Sequence, residues 1–231
     1  MRTFVTCLLC LLLPLWAMAA PVGTITAIEG TVDILRQGSI PAEPAHVDAA
    51  LDQGDMIRTK SASKAQITFV DGNVLNIGQR SRLDITQYLT GGRRILDLPR
   101  GKAEAVVDPQ TVQGIAAQPG AQAFEVRTPN AVAGVRGTRY ITWREGTVSY
   151  VLVLQGQVEV FNPQIPEERT VVTAGQIIAV PDQAPPGTPQ PATEAQIGKN
   201  QQDTTIQGPP GPGGGGTSGT PGQATSPTGT P

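Results

Sequence analysis

Apolar and polar residues alternate along much of the chain between residues 22 and 180. In several short segments one parity carries the apolar side chains: Ala65, Ile67 and Phe69; Leu83 and Ile85; Phe124 and Val126; and Val148, Tyr150, Leu152 and Leu154. This period of two residues is typical of strands with one buried face, and no stretch of the region has the period of an amphipathic helix. The pattern predicts a single all-β domain over residues 20–180, a twisted, solenoid-like stack or a sandwich of short antiparallel strands.

Two segments between the predicted strands have the composition of turns. Asp71 and Gly72 form an Asp-Gly pair, which supplies the positive φ that a tight hairpin turn needs. Pro129 lies within residues 128–130, Thr-Pro-Asn, where the fixed φ of proline favours a turn. We interpret Asp71, Gly72 and Pro129 as structural turn residues.

Two glycines, Gly134 and Gly137, follow the second turn. Glycine within a β region often marks a bulge, a bend or the close approach of another backbone. We therefore predict a bend here, with Val135 and Arg136 outside the regular ladder, and a new strand from Thr138.

The chain also contains two pairs of segments that are similar in sequence. Residues 30–35 resemble residues 156–161, and each copy is followed by a second similar unit, at residues 51–57 and 172–178. One interpretation is a repeat, in which the two ends of the domain form equivalent turns of one wound β architecture. The other is that both copies show the ordinary pattern of a strand after a turn.

The two ends of the chain differ from the middle. Residues 1–19 have an apolar run and a small-residue Ala-Met-Ala site, which predict a signal peptide cleaved after Ala19 and a periplasmic or secreted protein. An uncleaved membrane anchor is the rival interpretation, although the run is short for a span. Residues 181–231 are rich in Pro, Gly, Thr and Gln and predict a flexible tail. We expect no membrane span in the mature chain.

Composition excludes several kinds of chemistry. Both cysteines, Cys7 and Cys10, lie in the predicted signal peptide, and His46 is the only histidine. No His–Cys metal site or cysteine nucleophile can be built from these residues, so we predict a non-enzymatic protein without metal or cofactor. Lys and Arg number 17 against 19 Asp and Glu, without a clustered basic stretch. This balance argues against nucleic acid as a partner.

Three residues after the second turn are candidates for binding. The Arg136 guanidinium is suited to a carboxylate of a ligand or partner, or alternatively to an internal acid or backbone carbonyls that would pin the bend. Tyr140 and Trp143 lie on opposite parities of one predicted strand, so one would face the core and the other would be available for contact.

Residues 128–140, TPNAVAGVRGTRY, resemble the signature of the FecR domain, named for the ferric-citrate regulator. Similar blocks lie upstream, at residues 54–59, 65–69 and 71–77, and downstream, at residues 153–160 and 174–176. The resemblance implies a β-rich periplasmic module that, in regulators of this family, senses an outer-membrane transporter and signals to a sigma factor through an N-terminal cytoplasmic segment. Because a signal peptide would leave no such segment, we expect a stand-alone exported member without direct sigma-factor control.

Two functions remain open at this level. The first is a signalling or interaction module that binds an envelope protein, with strand addition at an open sheet edge. The second is a carbohydrate or peptidoglycan binder that uses Arg136, Tyr140 and Trp143. An open strand edge with polar flanks would favour the first, and exposed paired aromatic rings would favour the second.

Overall fold

The computed structural model describes residues 20–89, 92–112, 124–135 and 137–206. Within these ranges the chain forms eighteen strands, one α-helix, α1 (Glu194–Thr204), and two short 3-10 turns, Arg36–Gly38 and Pro109–Val112. The strands are β1 (Gly23–Glu29), β2 (Val32–Leu35), β3 (Glu43–Pro44), β4 (Ala50–Leu51), β5 (Met56–Thr59), β6 (Lys64–Phe69), β7 (Val74–Ile77), β8 (Arg82–Tyr88), β9 (Arg94–Arg100), β10 (Lys102–Val106), β11 (Phe124–Arg127), β12 (Val132–Val135), β13 (Arg139–Glu145), β14 (Val148–Gln155), β15 (Gln157–Asn162), β16 (Ile165–Thr173), β17 (Gln176–Pro181) and β18 (Gln190–Pro191).

These strands form two nine-stranded sheets. Sheet A has the order β18-β17-β14-β13-β10-β7-β6-β1-β4, and sheet B has the order β16-β15-β12-β11-β9-β8-β5-β2-β3. From β6 onward the chain moves back and forth between the sheets, with one or two strands at each visit. Every pairing among the described strands is antiparallel except β9 with β11. The prediction of an all-β domain of antiparallel strands is confirmed.

The core lies between the two sheets and follows the predicted alternation. Ile67 of sheet A and Leu83, Phe124 and Val126 of sheet B are buried in one continuous apolar cluster. Strand β14 differs, because Val151 and Val153 face this core while its other parity faces outward. The outward residues of β14 join a second, smaller cluster on the outer face of sheet A: Ile141, Trp143, Tyr150, Leu152, Leu154 and Ile177. Both faces of β14 are therefore covered.

The two similar pairs of segments, residues 30–35 with 51–57 and residues 156–161 with 172–178, are partly a structural repeat. Gly30 connects β1 to β2 and Gly156 connects β14 to β15, and both connections lead from sheet A to sheet B. Strands β2 and β15 are each the second strand from an end of sheet B. The second units are not equivalent, because β5 lies in sheet B and β17 lies in sheet A. The two ends of the sandwich thus resemble each other only in the first unit.

The segment after residue 180 departs from the expected tail. Strand β18 pairs with β17, and Ala192 and Ile197 of the segment that includes α1 cover the outer cluster of sheet A. Thr193 begins the helix with a capping box, in which Thr193 and Gln196 exchange side-chain to backbone hydrogen bonds. The predicted boundary at residue 180 is therefore too early, since residues 190–204 pack on the domain. The predicted signal peptide and residues 207–231 lie outside the described ranges.

No helix in the described part of the chain has both the length and the apolar character needed to cross a membrane.

Two buried tyrosines give the folded state a sensitivity to alkaline pH. The pKa of Tyr88 is raised mainly by burial of its side chain, and in second place by the negative charge of the Asp71 carboxylate. Burial raises the pKa of Tyr140 as well, although a backbone hydrogen bond opposes it. Above about pH 10 the tyrosine hydroxyls of an unfolded chain lose their protons. In the folded state the hydroxyls of Tyr88 and Tyr140 stay protonated at the same pH. The folded state binds more protons there, so raising the pH destabilises it.

We expect the free energy of unfolding to fall above about pH 10 by about 1.4 kcal/mol per pH unit for each tyrosine. These two residues contribute no pH dependence at lower pH. Urea unfolding across this range measures the slope, and Tyr88→Phe is the control that removes one of the two contributions. A slope that stays the same in this variant would contradict the assignment.

Candidate functional site

The first part of the signature stretch is a tight turn between β11 and β12 in sheet B. The Thr128 N–H donates to the Ala131 carbonyl at 2.8 Å, and the Thr128 Oγ1 accepts from the Ala131 N–H at 3.0 Å. The same hydroxyl lies 2.7 Å from the Ser149 hydroxyl on β14 of sheet A. Pro129 is exposed at the tip of the turn. The turn therefore contacts the opposite sheet through Thr128.

Asn130 makes the second connection between the sheets, and it is 1% exposed. Its Oδ1 accepts from Arg144 of β13 and from the Ser149 hydroxyl, each at 2.5 Å. Its Nδ2 donates to the carbonyls of Val180 and, at 3.2 Å, of Thr147. One side chain thus links the β11–β12 turn to three strands of sheet A. The sequence pattern indicates a turn at this residue and no connection between sheets.

The two glycines of the signature differ in their surroundings. Gly134 and Val135 keep regular pairing on both sides, with β11 and with β15. The predicted bend at Gly134 is therefore wrong, and Val135 stays in the ladder because both neighbouring strands pair with it. Gly137 lies where the chain crosses to sheet A, with a φ of +75°, and a Cβ there would lie 2.7 Å from Pro109. Arg136 lies outside the described residues.

Neither candidate aromatic ring is exposed. Tyr140 is 0% exposed in the core between the sheets, and Trp143 is 6% exposed on the opposite face of the same strand. The Trp143 ring stacks on Tyr150 with 5.2 Å between centroids, and the segment around Ile197 packs against it. The two rings do point to opposite faces, but the α1 segment covers the one that was expected to be free.

Asp71 and Gly72 lie in the turn between β6 and β7, where Gly72 has a φ of +83°. The Asp71 carboxylate accepts from the Tyr88 hydroxyl at 2.9 Å and from the Asn73 N–H at 3.2 Å. It also forms an ion pair with the buried Arg94. These contacts tie the turn to β8 and β9 of sheet B, and they engage the Asp71 carboxylate fully within the protein.

Helix α1 is held on sheet A mainly by polar contacts. Lys102 Nζ lies 2.6 Å from Asn200 Oδ1 and 2.5 Å from Asp203 Oδ2, and it also lies 5.1 Å from the centre of the Trp143 ring. The buried Glu104 accepts from the Thr204 hydroxyl at 2.9 Å. Lys102 therefore lies at the centre of the contact between the helix and the sheet.

We expect Lys102→Met to loosen α1 and to expose Trp143 while the core between the sheets stays folded. Trp143 is the only tryptophan after residue 19, because the other is Trp16. Tryptophan emission should therefore shift to the red, and acrylamide should quench it more strongly than in the wild type. Lys60→Met is the matched control, since Lys60 pairs with Asp33 on sheet B. Unchanged quenching in Lys102→Met would contradict the role given to Lys102.

The chemistry available in the described residues is limited. They contain no group of three or more His, Cys, Asp or Glu side chains placed to hold a metal ion. His46 is exposed in a loop, where its Nδ1 lies 2.9 Å from the Val47 carbonyl. Thr128, Asn130 and Asp71 are engaged in joining the two sheets, and Lys102 and Glu104 are engaged in holding α1 on sheet A.

The ends of the sheets are unequal. Three of the four edge strands, β3, β4 and β18, have two residues each, whereas β16 at the end of sheet B has nine. The first part of β16 is bulged, because residues 166–168 are skipped in the pairing with β15. Residues 169–173 pair regularly with β15, and Val171 among them is 56% exposed. Among the described strands, β16 offers the longest open edge.

Residues 55–159 match the model of the family described as FecR protein. Two crystal structures, at 1.65 and 2.50 Å resolution, of a candidate anti-sigma factor from Parabacteroides distasonis ATCC 8503 are similar to this chain. Each is 21% identical with a TM-score of 0.49, and the match covers 62% of this chain and 62% of the solved one. No curated protein matches the chain significantly. The predicted resemblance to the FecR family is confirmed over residues 55–159.

Proposed function

We propose that this chain is an exported, non-enzymatic interaction module that takes up a strand of an envelope protein at the open edge formed by residues 169–173 of β16. The resemblance to the FecR family implies a regulatory rather than a catalytic protein, so binding to a protein partner is the activity to expect. Export rests on the sequence of residues 1–19, which has the features of a signal peptide.

The open edge of β16 is the observation that carries the proposal. An edge strand presents unpaired N–H and C=O groups that another strand can pair with. The edges β3, β4 and β18 are too short for this, since each has two residues. In β16 the bulge with Pro166, Glu167 and Glu168 restricts pairing at one end and supplies the polar flank, which leaves residues 169–173 as the segment available for pairing. Within it the Thr173 N–H already donates to Gln176 Oε1 at 3.0 Å, so the open N–H groups are nearer to Val171.

The alternative function, binding of carbohydrate or peptidoglycan, has lost its main support. A sugar-binding surface needs exposed aromatic rings, and both Tyr140 and Trp143 are buried. The stacked pair of Trp143 and Tyr150 is covered by the segment that contains Ile197. Strand addition is therefore the better-supported function.

Val171→Lys tests the proposal. A lysine on an edge strand opposes pairing with another strand, because the added strand would take part of the water away from the lysine ammonium group. We expect this variant to retain about a tenth or less of the envelope partner that the wild type captures, a loss of about 1.4 kcal/mol or more in binding free energy.

Val70→Lys is the matched control, since Val70 is 60% exposed in the β6–β7 turn and has no part in the edge. The capture should be quantified for the same partner band in all three proteins, after circular dichroism has shown that each variant is folded. Equal losses in both variants, or no loss in either, would contradict binding at β16.

A further inference from the structure

Three arginines form a row across the outer face of sheet B. Arg58, Arg82 and Arg100 are register partners on the adjacent strands β5, β8 and β9. Their chain neighbours Ile57 and Leu83 are buried in the core, so the arginine side chains project to the opposite face. Neighbouring strands lie about 4.8 Å apart, which brings three guanidinium stems within about 10 Å of one another.

The row borders a groove that also has an apolar wall. The groove has a volume of about 300 Å³, and it is lined by the three arginines together with Leu35, Met56 and Pro99. Each arginine can present up to five N–H donors to an acceptor. A ligand in this groove would therefore meet cationic donors and apolar side chains in the same place.

The positive charge of this face is only partly neutralised. Asp33 lies 3.4 Å from Arg58 and 2.6 Å from Lys60, so it serves two cations. Arg82 pairs with Asp84 at 3.0 Å. Asp97 lies beside Asp84 in the register and accepts from Thr86. Four cations, Arg58, Lys60, Arg82 and Arg100, thus face three carboxylates, Asp33, Asp84 and Asp97, and 4 − 3 leaves an excess of one positive charge.

Two of the arginines have side-chain N–H groups without an acceptor. Among the described residues, the Arg100 side chain has no hydrogen-bond or ion-pair partner, and the Nε of Arg58 is buried without an acceptor. A buried donor without an acceptor is unfavourable. An acceptor supplied by a ligand would relieve this cost at Arg58 and engage Arg100 at the same time.

We infer that this groove, formed by Arg58, Arg82, Arg100, Leu35, Met56 and Pro99, binds an acidic segment of a protein partner, one in which a carboxylate side chain stands next to an apolar one. The excess of a single positive charge suits a carboxylate, whereas the three aspartates on the same face disfavour the double charge of a phosphate. The planar guanidinium matches a carboxylate in geometry, and Leu35, Met56 and Pro99 can receive the apolar neighbour.

This groove is separate from the open edge of β16. Strands β15, β12 and β11 lie between β16 and β9 in sheet B. The inference therefore does not depend on strand addition, and either can fail without the other. The arginines come from three strands that are distant in sequence, which is why no basic cluster is visible along the chain.

The test is an NMR titration of the ¹⁵N-labelled chain, with the backbone amides and the arginine Nε–H groups as probes. The ligand is acetyl-Ser-Glu-Leu-Glu-Ser-amide, and the neutral control is its glutamine counterpart, acetyl-Ser-Gln-Leu-Gln-Ser-amide. Inorganic phosphate is titrated separately. We expect the acidic peptide to shift the Nε–H signals of Arg58 and Arg100, and the glutamine peptide to shift neither.

Arg100→Gln should weaken binding of the acidic peptide at least about tenfold, which corresponds to the lower end of the range expected for a hydrogen bond to a charged group. Arg80→Gln is the matched control, since Arg80 bonds to Ser61 outside the groove, and it should leave binding unchanged. Equal shifts with both peptides, or equal effects of both variants, would overturn the inference. Tighter binding of phosphate than of the acidic peptide would overturn the assignment to an acidic protein segment.

Discussion

Asn130→Ala is expected to destabilise the domain by about 3–4 kcal/mol, because it leaves several buried partners without a hydrogen bond. The Asn130 side chain bonds to Arg144, Ser149, Thr147 and Val180 of sheet A. The alanine methyl replaces none of these contacts, and the site is too deeply buried for bulk water to do so. For a domain of this size the thermal midpoint should fall by about 6–16 °C.

Asn76→Ala is the matched control for this change. Asn76 lies on β7, is half-buried, and accepts a single hydrogen bond from Gln66 at 3.0 Å. Loss of this hydrogen bond should lower the free energy of unfolding by less than about 1 kcal/mol. Urea unfolding of the two variants and the wild type compares the effects. If Asn130→Ala were as mild as Asn76→Ala, Asn130 would not be the connection between the sheets that its contacts indicate.

Gly101→Ala is the second change with a large expected effect. Gly101 connects β9 of sheet B to β10 of sheet A with a φ of +96°, and a Cβ there would overlap the backbone and side chain of Ser81. Ser81 cannot move freely, because its Oγ accepts from the Lys102 N–H at 3.0 Å. We expect a loss of about 3–5 kcal/mol, from the strained φ together with the overlap.

Gly146→Ala separates these two causes. Gly146 also has a positive φ, +59°, but a Cβ there would meet no atom within 4 Å. This variant should lose only the conformational part, about 1–2 kcal/mol. Urea unfolding measures both variants, and the difference between them reports the overlap with Ser81. Equal losses would show that close packing at this crossing is unimportant.

The strand pattern could be predicted from the sequence because burial on one face of a strand depends on the nearest residues along the chain. Ile67 and Leu83 show this, as both alternate with polar neighbours and both are buried. Gly134 was predicted wrongly because a glycine is compatible with a bend and with a regular strand. Here the pairing of β12 with two neighbours decides in favour of the strand.

The C-terminal helix and the basic groove were not predictable in the same way. Helix α1 is polar, and its attachment depends on Lys102, which is about a hundred residues away in the sequence. Its one local signal was the capping box formed by Thr193 and Gln196. The groove requires Arg58, Arg82 and Arg100 to be in register, and this register follows only from the order of strands in sheet B.

Hydrogen exchange of the complex with the captured envelope partner tests the proposed strand addition most directly. The outward N–H groups of an edge strand exchange readily when they are unpaired, and pairing with a new strand protects them. We predict that the partner slows exchange at residues 169–173 of β16, and that exchange in the β6–β7 turn around Val70 stays unchanged. Protection elsewhere in the domain, with residues 169–173 exchanging as they do in the free protein, would contradict strand addition at β16.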